Sequence, residues 1–210
     1  MSDAAFDRHR SRSPASGGSF DQAYFERFYE RRATRVYDAE QVAQLARGVI
    51  AMIRWLGGSV GSVLDVGAGA GFWGAYLRKE EPRVRYASID ASRYACERYG
   101  HEHRDITRWR GGERFDLVVC QGVLPYIDDE GARRAIDNIA AMTAGFLYLE
   151  AITARDVREV CDLDKTDVAV NARPGEFYRA ALAPHFVQVG CGLYYAKRGP
   201  LRFYELEAAP

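Results

Sequence analysis

The spacing of apolar residues changes at about residue 57. Before it, apolar side chains recur every three or four positions, which predicts one helix over 20–38 and a second from about Asp38 to Leu56. After it, short apolar runs alternate with segments of helical spacing. The predicted strands are 62–67, 84–90, 102–106, 115–122 and 145–151, and the predicted helices are 71–80, 92–100, 129–143 and 176–185. This alternation predicts an α/β domain with a mostly parallel sheet and helices on both faces.

The C-terminal part of the chain does not follow this alternation. Residues 186–197 and 201–208 both have the composition of strands, and only the short turn 198–200 separates them. Parallel strands need a long crossover, so two strands joined this closely must be antiparallel. The sequence therefore predicts seven strands in a mostly parallel sheet, with one antiparallel strand contributed by the C-terminus.

The same pattern predicts the domain organisation. Residues 1–18 are polar and rich in glycine and serine, which is typical of a disordered tail. Residues 19–56 form the N-terminal helices, and residues 57–210 form the α/β domain. The first helix carries its aromatic residues at helical spacing, and it either packs on the sheet or closes over a ligand as a lid. These aromatic residues are Phe20, Tyr24, Phe25, Phe28 and Tyr29.

Composition narrows the classes of partner. The 210 residues carry 29 basic and 29 acidic side chains, so the chain lacks the basic surplus of a typical nucleic-acid-binding protein. The four cysteines form no CxxC pair, and no metal site is expected. The apolar stretches are too short to span a membrane and no signal peptide is evident. We therefore expect a cytoplasmic protein without membrane or nucleic-acid partners, as a monomer or homodimer.

Residues 63–73, "VLDVGAGAGFW", form a glycine-rich turn after the first predicted strand. Such a turn lets the backbone approach a ligand closely. Phe72 stands where a dinucleotide-binding fingerprint requires its third glycine, and the Lys-Ser/Thr pair of a Walker loop is absent. Asp65 would repel a pyrophosphate and attract a cationic ligand. The turn is therefore better suited to a cofactor with an amino or sulfonium group.

Two further carboxylates follow later strands, where they could bind the ribose and the base of a nucleoside. Asp90 ends the second predicted strand, where a carboxylate can accept hydrogen bonds from both ribose hydroxyls. Asp105 follows the third strand, placed to accept from an adenine amino group with Ile106 against the ring. Because NAD enzymes share the ribose carboxylate, Asp90 indicates a nucleoside without identifying it.

The segments "VLDVGAGAG", "SID", "RDI" and "FDLVVCQGVLPYIDD" together resemble the successive motifs of class I S-adenosylmethionine-dependent methyltransferases. The resemblance covers residues 38–210 and implies a Rossmann-like fold and S-adenosyl-L-methionine as cofactor. It implies the cofactor-binding residues Asp65, Gly67, Ala68, Gly69, Asp90, Ala91, Asp105, Ile106, Gln121 and Gly122. The segment "CQGVLPY" lacks the Asn-Pro-Pro-Tyr motif of DNA and glutamine N-methyltransferases, which argues against those activities.

The residues that handle the methyl acceptor are harder to identify. The cofactor carries the difficult chemistry, and a base is needed only if the acceptor arrives protonated. The catalytic candidates are Tyr126 and Glu150, which follow the fourth strand and end the fifth. Residues 161–179 are long enough to fold over an acceptor. The substrate-binding candidates are Tyr29, Tyr37, Asp167, Arg173 and Tyr178; Arg32 or Arg35 could pair with the cofactor carboxylate, and His185 is a weaker acceptor candidate.

The sequence thus predicts a methyltransferase that acts on a small molecule or a short peptide, since no additional domain for a macromolecule is visible. Whether oxygen, nitrogen or carbon is methylated stays open.

Three alternatives to this function remain. A nicotinamide oxidoreductase is disfavoured by the glycine spacing and Asp65. The others are a non-catalytic module that binds S-adenosylmethionine and a protein or RNA methyltransferase that needs a partner.

Overall fold

A computed structural model of the protein describes residues 20–209, and the tail predicted over 1–18 lies outside them. The helices are α1 (Gln22–Phe25, continuing as a π-helical turn over Glu26–Glu30), α2 (Ala39–Trp55), α3 (Phe72–Glu80), α4 (Arg93–Tyr99), α5 (Asp129–Met142), α6 (Ala154–Glu159) and α7 (Gly175–Leu182). The strands are β1 (Ser62–Val66), β2 (Arg85–Asp90), β3 (Glu102–His103), β4 (Phe115–Gln121), β5 (Thr143–Glu150), β6 (Phe186–Gly190) and β7 (Leu193–Ala196). No helix in this part of the chain combines the length and apolar character needed to cross a membrane.

The strands form one seven-stranded sheet in the order β3-β2-β1-β4-β5-β7-β6. Only β7 runs antiparallel, to both of its neighbours β5 and β6. This confirms the predicted fold class. Chain order reverses between β1 and β4, which are paired in parallel. In open α/β sheets, ligands bind beyond the carboxyl ends of the strands at this switch point.

The C-terminal hairpin lies earlier than the sequence predicted. Strands β6 and β7 divide the predicted strand 186–197, and residues 201–208 form no strand. Cys191 and Gly192 make the turn with φ of 47° and 77°. Two consecutive left-handed residues match the twist of a two-residue hairpin, so the chain reverses there. The antiparallel strand was predicted correctly, and its position was wrong.

Strand β4 shows how the sheet separates two hydrophobic layers. Val118 and Cys120 pack into a core with α5 and α7, whereas Leu117 and Val119 pack into a core with α2 and α3. All four side chains are completely buried. Because successive side chains of a strand point to opposite faces, this alternation requires helices on both sides of the sheet.

Helix α2 is fixed at its start and along one face. The Asp38 side chain accepts a hydrogen bond from the Gln41 backbone N–H, and the Asp38 backbone N–H donates to Gln41 Oε1, which forms a capping box. The apolar stripe then packs on the sheet. Its buried members are Val42, Ala46, Val49, Ile50 and Ile53.

The segment between β5 and α7 is held at both ends. Thr153 and Arg173 form an isolated parallel bridge. The buried guanidinium of Arg173 donates to Asp129 Oδ1 at 2.7 Å, to the Leu124 carbonyl at 3.0 Å and to the Ile127 carbonyl. We call residues 160–172, which follow α6, the β5–α7 loop. The Arg173 contacts fasten the end of this loop to the connection that follows β4.

We expect Arg173→Ala to lower the free energy of unfolding by about 1–3 kcal/mol, because buried carbonyl groups lose a charged donor. Chemical denaturation measures this change. Arg158→Ala, which removes an exposed arginine of α6, is the control and should change the value by less than about 0.5 kcal/mol. Equal stability of the two variants would contradict the role given to Arg173.

Candidate active site

Polar side chains lie at the carboxyl ends of four neighbouring strands. They are Asp65 on β1, Asp90 on β2, Gln121 on β4 and Glu150 on β5. Two adjoining cavities open at this edge, a chamber of about 390 Å³ and a cleft of about 150 Å³. Both are bordered by Tyr24, Tyr29, Gly67, Gln121, Gly122 and Tyr126.

The glycine turn after β1 adopts a conformation that favours glycine. Gly67, Gly69 and Gly71 have φ of 68°, 55° and 72°. A Cβ on Gly67 would lie 2.3 Å from Val123 Cγ2, and one on Gly69 would lie 3.1 Å from the Tyr29 hydroxyl. The side chains of Val123 and Tyr29 therefore pack closely against the turn, whose backbone borders both cavities at Gly67 and the cleft at Gly69.

A buried histidine that the sequence analysis missed supports this turn. The His101 Nε2 atom lies 3.0 Å from the Gly69 carbonyl oxygen, and its Nδ1 atom lies 2.9 Å from Ser88 Oγ. The side chain is 8% exposed. No local pattern in the sequence indicates this role, because it depends on a contact across 32 residues.

The residues predicted to bind a nucleoside lie together around the cleft. Asp90 accepts hydrogen bonds from the backbone N–H groups of Gly69 at 2.9 Å and Ser92 at 2.7 Å. These bonds orient a carboxylate whose oxygens can each accept another bond. Ala91, Asp105 and Ile106 complete the predicted set in the same cleft.

Asp65 is a buried carboxylate in the wall of the chamber. It is 3% exposed and accepts a hydrogen bond of 2.9 Å from the Tyr86 hydroxyl. Burial raises the pKa of Asp65 to about 7, and the nearby Asp90 carboxylate adds to the effect. A cationic ligand beside Asp65 would favour its ionised form.

A hydrogen-bonded network connects the ends of β4 and β5. Trp73 Nε1 donates to Gln121 Oε1 at 2.9 Å, and Gln121 Nε2 donates to Glu150 Oε2 at 3.3 Å. The hydroxyls of Tyr37 and Tyr148 also donate to Glu150, each at 3.4 Å. Burial raises the pKa of Glu150 despite these donors.

Trp73 and Tyr148 were not among the candidates from the sequence. Tyr148 stands two residues before Glu150 on β5, and the two-residue period of a strand could have placed both on one face. For Trp73, the sequence predicted a position near the start of α3. It did not indicate that the indole points towards Gln121.

The N-terminal aromatic helix covers both cavities. Tyr24 and Tyr29 line the chamber and the cleft, and the hydroxyls of Tyr24 and Tyr126 lie 2.8 Å apart. The Ser92 hydroxyl donates to the Phe20 carbonyl at the start of this segment. This position suits a lid, and movement of the helix stays a prediction.

The β5–α7 loop forms another wall of the chamber. Val160, Cys161, Asp162, Lys165, Thr166, Asp167 and Val170 contribute to it. Among the substrate-binding candidates, Tyr29, Tyr37 and Asp167 therefore lie together at the chamber.

Other candidates lie elsewhere. Arg173 and Tyr178 border neither cavity, and Arg173 Nη1 donates to the Tyr178 hydroxyl at 3.3 Å in the protein interior. Arg35 pairs with Asp38, and His185 pairs with Asp137. Arg32 is also absent from both cavity walls.

Comparisons with known proteins agree with this geometry. A family model described as a methyltransferase domain matches residues 17–189. No curated protein matches the chain significantly. The structure is similar to that of the plantazolicin methyltransferase BpumL in complex with S-adenosyl-L-homocysteine, with 15% identity and a TM-score of 0.57. That match covers 68% of this chain and 63% of BpumL, so the chain spans less than two thirds of the length of that enzyme.

Two other solved structures match over nearly their full length. The N-methyltransferase NodS from Bradyrhizobium japonicum WM9 has 18% identity and a TM-score of 0.53, with 93% of this chain and 98% of NodS covered. The magnesium protoporphyrin IX methyltransferase ChlM from Synechocystis PCC 6803 has 16% identity and a TM-score of 0.54, with 93% and 97% covered. At such low identity, these similarities show the fold.

The titration of Asp65 gives a testable prediction. Its pKa of about 7 exceeds the ordinary 3.8, so between these pH values the folded chain holds a proton that the unfolded chain has lost. The free energy of unfolding therefore falls as the pH rises through this window, by at most about 4 kcal/mol. Asp65→Asn keeps an acceptor for Tyr86 and removes the titration, so its stability should fall less between about pH 5 and pH 8. Urea denaturation across this range measures both slopes, and identical slopes would contradict the assignment.

Proposed function

We propose that the chain, which belongs to the methyltransferase-domain family, transfers a methyl group from S-adenosyl-L-methionine to a small molecule or a short peptide. The observation that carries this proposal is the chamber beside the glycine turn. Its volume of about 390 Å³ falls in the range of pockets for small ligands. The N-terminal helix and the β5–α7 loop cover it, which disfavours a folded macromolecule as acceptor.

The described residues fit the cofactor. Gly67 and Gly69 border the cavities with backbone atoms alone, so a ligand can approach the main chain there. Asp90, oriented by two backbone donors, suits the ribose hydroxyls. We assign Asp105 and Ile106 to the adenine and Asp65 to the methionine amino group. Gln121 and Gly122, which border both cavities, then lie where the nucleoside and methionine parts meet.

Catalysis then depends mainly on alignment and on exclusion of water. The bound cofactor supplies a methyl group made electrophilic by a sulfonium. The chain's own contribution is to hold the acceptor in the chamber against Gln121 and Glu150, under the aromatic helix. Tyr126 forms part of the wall between the cavities, and its hydroxyl is engaged with that of Tyr24. Glu150 is the carboxylate at the chamber that we assign to accept a proton, if the acceptor carries one.

Methyl-label transfer tests the proposed acceptor class. Purified protein and cofactor labelled in the methyl group are incubated with a cell extract that has been separated by filtration into small molecules and macromolecules. We expect label in the small-molecule fraction, including short peptides. Label confined to protein or RNA would overturn the proposal and favour an enzyme that borrows recognition from a partner. Absence of transfer to either fraction would count against it as well.

We expect Asp90→Ala to weaken the binding of S-adenosyl-L-homocysteine by about 1.5–3 kcal/mol, since hydrogen bonds from the ribose to a charged group are lost. Isothermal titration calorimetry measures the affinity, and circular dichroism checks that the variant is folded. Asp137→Ala is the control, because Asp137 pairs with His185 away from both cavities. Unchanged affinity in folded Asp90→Ala would remove Asp90 from the cofactor site.

A further inference from the structure

The charged residues of the chamber are mainly acidic. Asp65, Glu150, Asp162 and Asp167 contribute carboxylates to its wall, and Lys165 is the one cationic side chain among its described residues. Lys165 lies 3.5 Å from Asp162 and compensates that carboxylate. Within the described part of the chain, Asp65, Glu150 and Asp167 form no ion pair with a basic side chain. The chamber therefore has three carboxyl groups that no basic side chain of the described residues compensates.

Aromatic rings form much of the remaining wall. Phe28, Tyr37, Trp73 and Tyr126 are among them. The faces of aromatic rings attract cations, and this attraction grows when water is excluded. Carboxylates and aromatic faces therefore favour a cation in the same space, and the carboxylates repel an anionic acceptor. A neutral alcohol or phenol can donate a hydrogen bond to a carboxylate, but it lacks the attraction between opposite charges that an ammonium ion gains.

The three uncompensated carboxylates have different surroundings. Asp65 is buried at the glycine turn, and the proposed function assigns it to the cofactor's amino group. Glu150 accepts hydrogen bonds from Gln121, Tyr37 and Tyr148, all of them long at 3.3–3.4 Å. Asp167 lies on the β5–α7 loop and accepts a bond from the Ala169 backbone N–H at 2.9 Å. Glu150 and Asp167 thus remain for the acceptor.

We propose that the methyl acceptor is an amine that enters the chamber as an ammonium ion, held by Asp167 and the aromatic walls and deprotonated by Glu150. This inference rests on the proposed function, because it assumes the cofactor's place beside the glycine turn. The ammonium N–H bond breaks and its proton moves to the Glu150 carboxylate, which leaves the nitrogen lone pair free. That lone pair then forms the bond to the methyl carbon, while the electron pair of the broken C–S bond stays on sulfur.

The surroundings of Glu150 suit this proton transfer. Its burial raises the pKa of the carboxyl group, which makes the carboxylate a better proton acceptor than an exposed glutamate. Tyr37, Tyr148 and Gln121 contact it directly, and Asp65 and Cys161 also line the chamber. None of these groups is cationic, so nothing described at the chamber besides Lys165 competes with an ammonium ion for the carboxylates.

The first test measures binding without turnover. Matched sets of phenethylamine, 2-phenylethanol and 3-phenylpropionate, and equivalent alkyl sets, are titrated into the protein saturated with S-adenosyl-L-homocysteine. We expect the amine to bind most tightly within each set. Asp167→Asn should weaken amine binding by roughly tenfold and leave alcohol binding unchanged. Asp164→Asn is the matched control, since Asp164 is an exposed carboxylate on the same loop outside the chamber wall.

Tighter binding of the alcohol or the acid, or no amine binding in any set, would overturn the proposal. An equal response of amine and alcohol to Asp167→Asn would do the same. Binding of S-adenosyl-L-homocysteine to the wild-type protein is measured first. Its absence would contradict the proposed function itself, whereas its presence without a preference for amines would contradict the amine assignment alone.

The second test separates proton transfer from binding. With the amine that is methylated fastest, Glu150→Gln should lower kcat by about 100-fold or more and change the dissociation constant of the amine by a much smaller factor. The affinity for S-adenosyl-L-homocysteine should stay at the wild-type value. A purely positioning role would instead raise KM and leave kcat near the wild-type value, and that outcome would overturn the role of Glu150 as the proton acceptor.

Discussion

The candidate site depends on hydrogen bonds that fasten the glycine turn to the end of β2. The backbone N–H groups of Gly67 and Ala68 both donate to the Ile89 carbonyl, and that of Gly69 donates to the Asp90 carboxylate. The turn is thereby held with positive φ angles at its glycines. The His101 ring contributes through its contact with the Gly69 carbonyl oxygen. Because the same carboxylate borders the cleft, the residue that shapes the turn also belongs to the proposed ligand site.

Around this fixed edge, the rest of the site is built from less regular parts of the chain. The N-terminal helix covers the edge, and the β5–α7 loop forms a wall whose ends are fastened by Arg173. The sheet thus supplies most of the groups that we assign to the cofactor, namely Asp65, Asp90 and Gln121 at its carboxyl edge. The helix and the loop contribute two further walls of the chamber, where we propose that the acceptor binds.

The sequence predicted the sheet, and placed acidic residues at its carboxyl edge, because these signals are local. Alternating apolar runs set the strands, and an acid at the end of a strand marks the carboxyl edge, as for Asp65 and Asp90. The C-terminal hairpin was misplaced because a short turn at Cys191–Gly192 looks like an interruption within one strand. Arg173 was predicted to bind an acceptor because of its position in a long loop. Its burial against the carbonyls of Leu124 and Ile127 depends on contacts across more than forty residues, which no local pattern reveals.

The N-terminal helix has a consequence for the order of events in a reaction cycle. Its Tyr24 and Tyr29 belong to the walls of both the chamber and the cleft. Any displacement of the helix therefore opens both cavities to water together. In kinetic terms, the predicted lid motion would gate both proposed ligands at once, so that a single motion would govern the dwell time of the spent nucleoside and that of the methylated product. The hydrogen bond between the Tyr24 and Tyr126 hydroxyls would hold that gate closed.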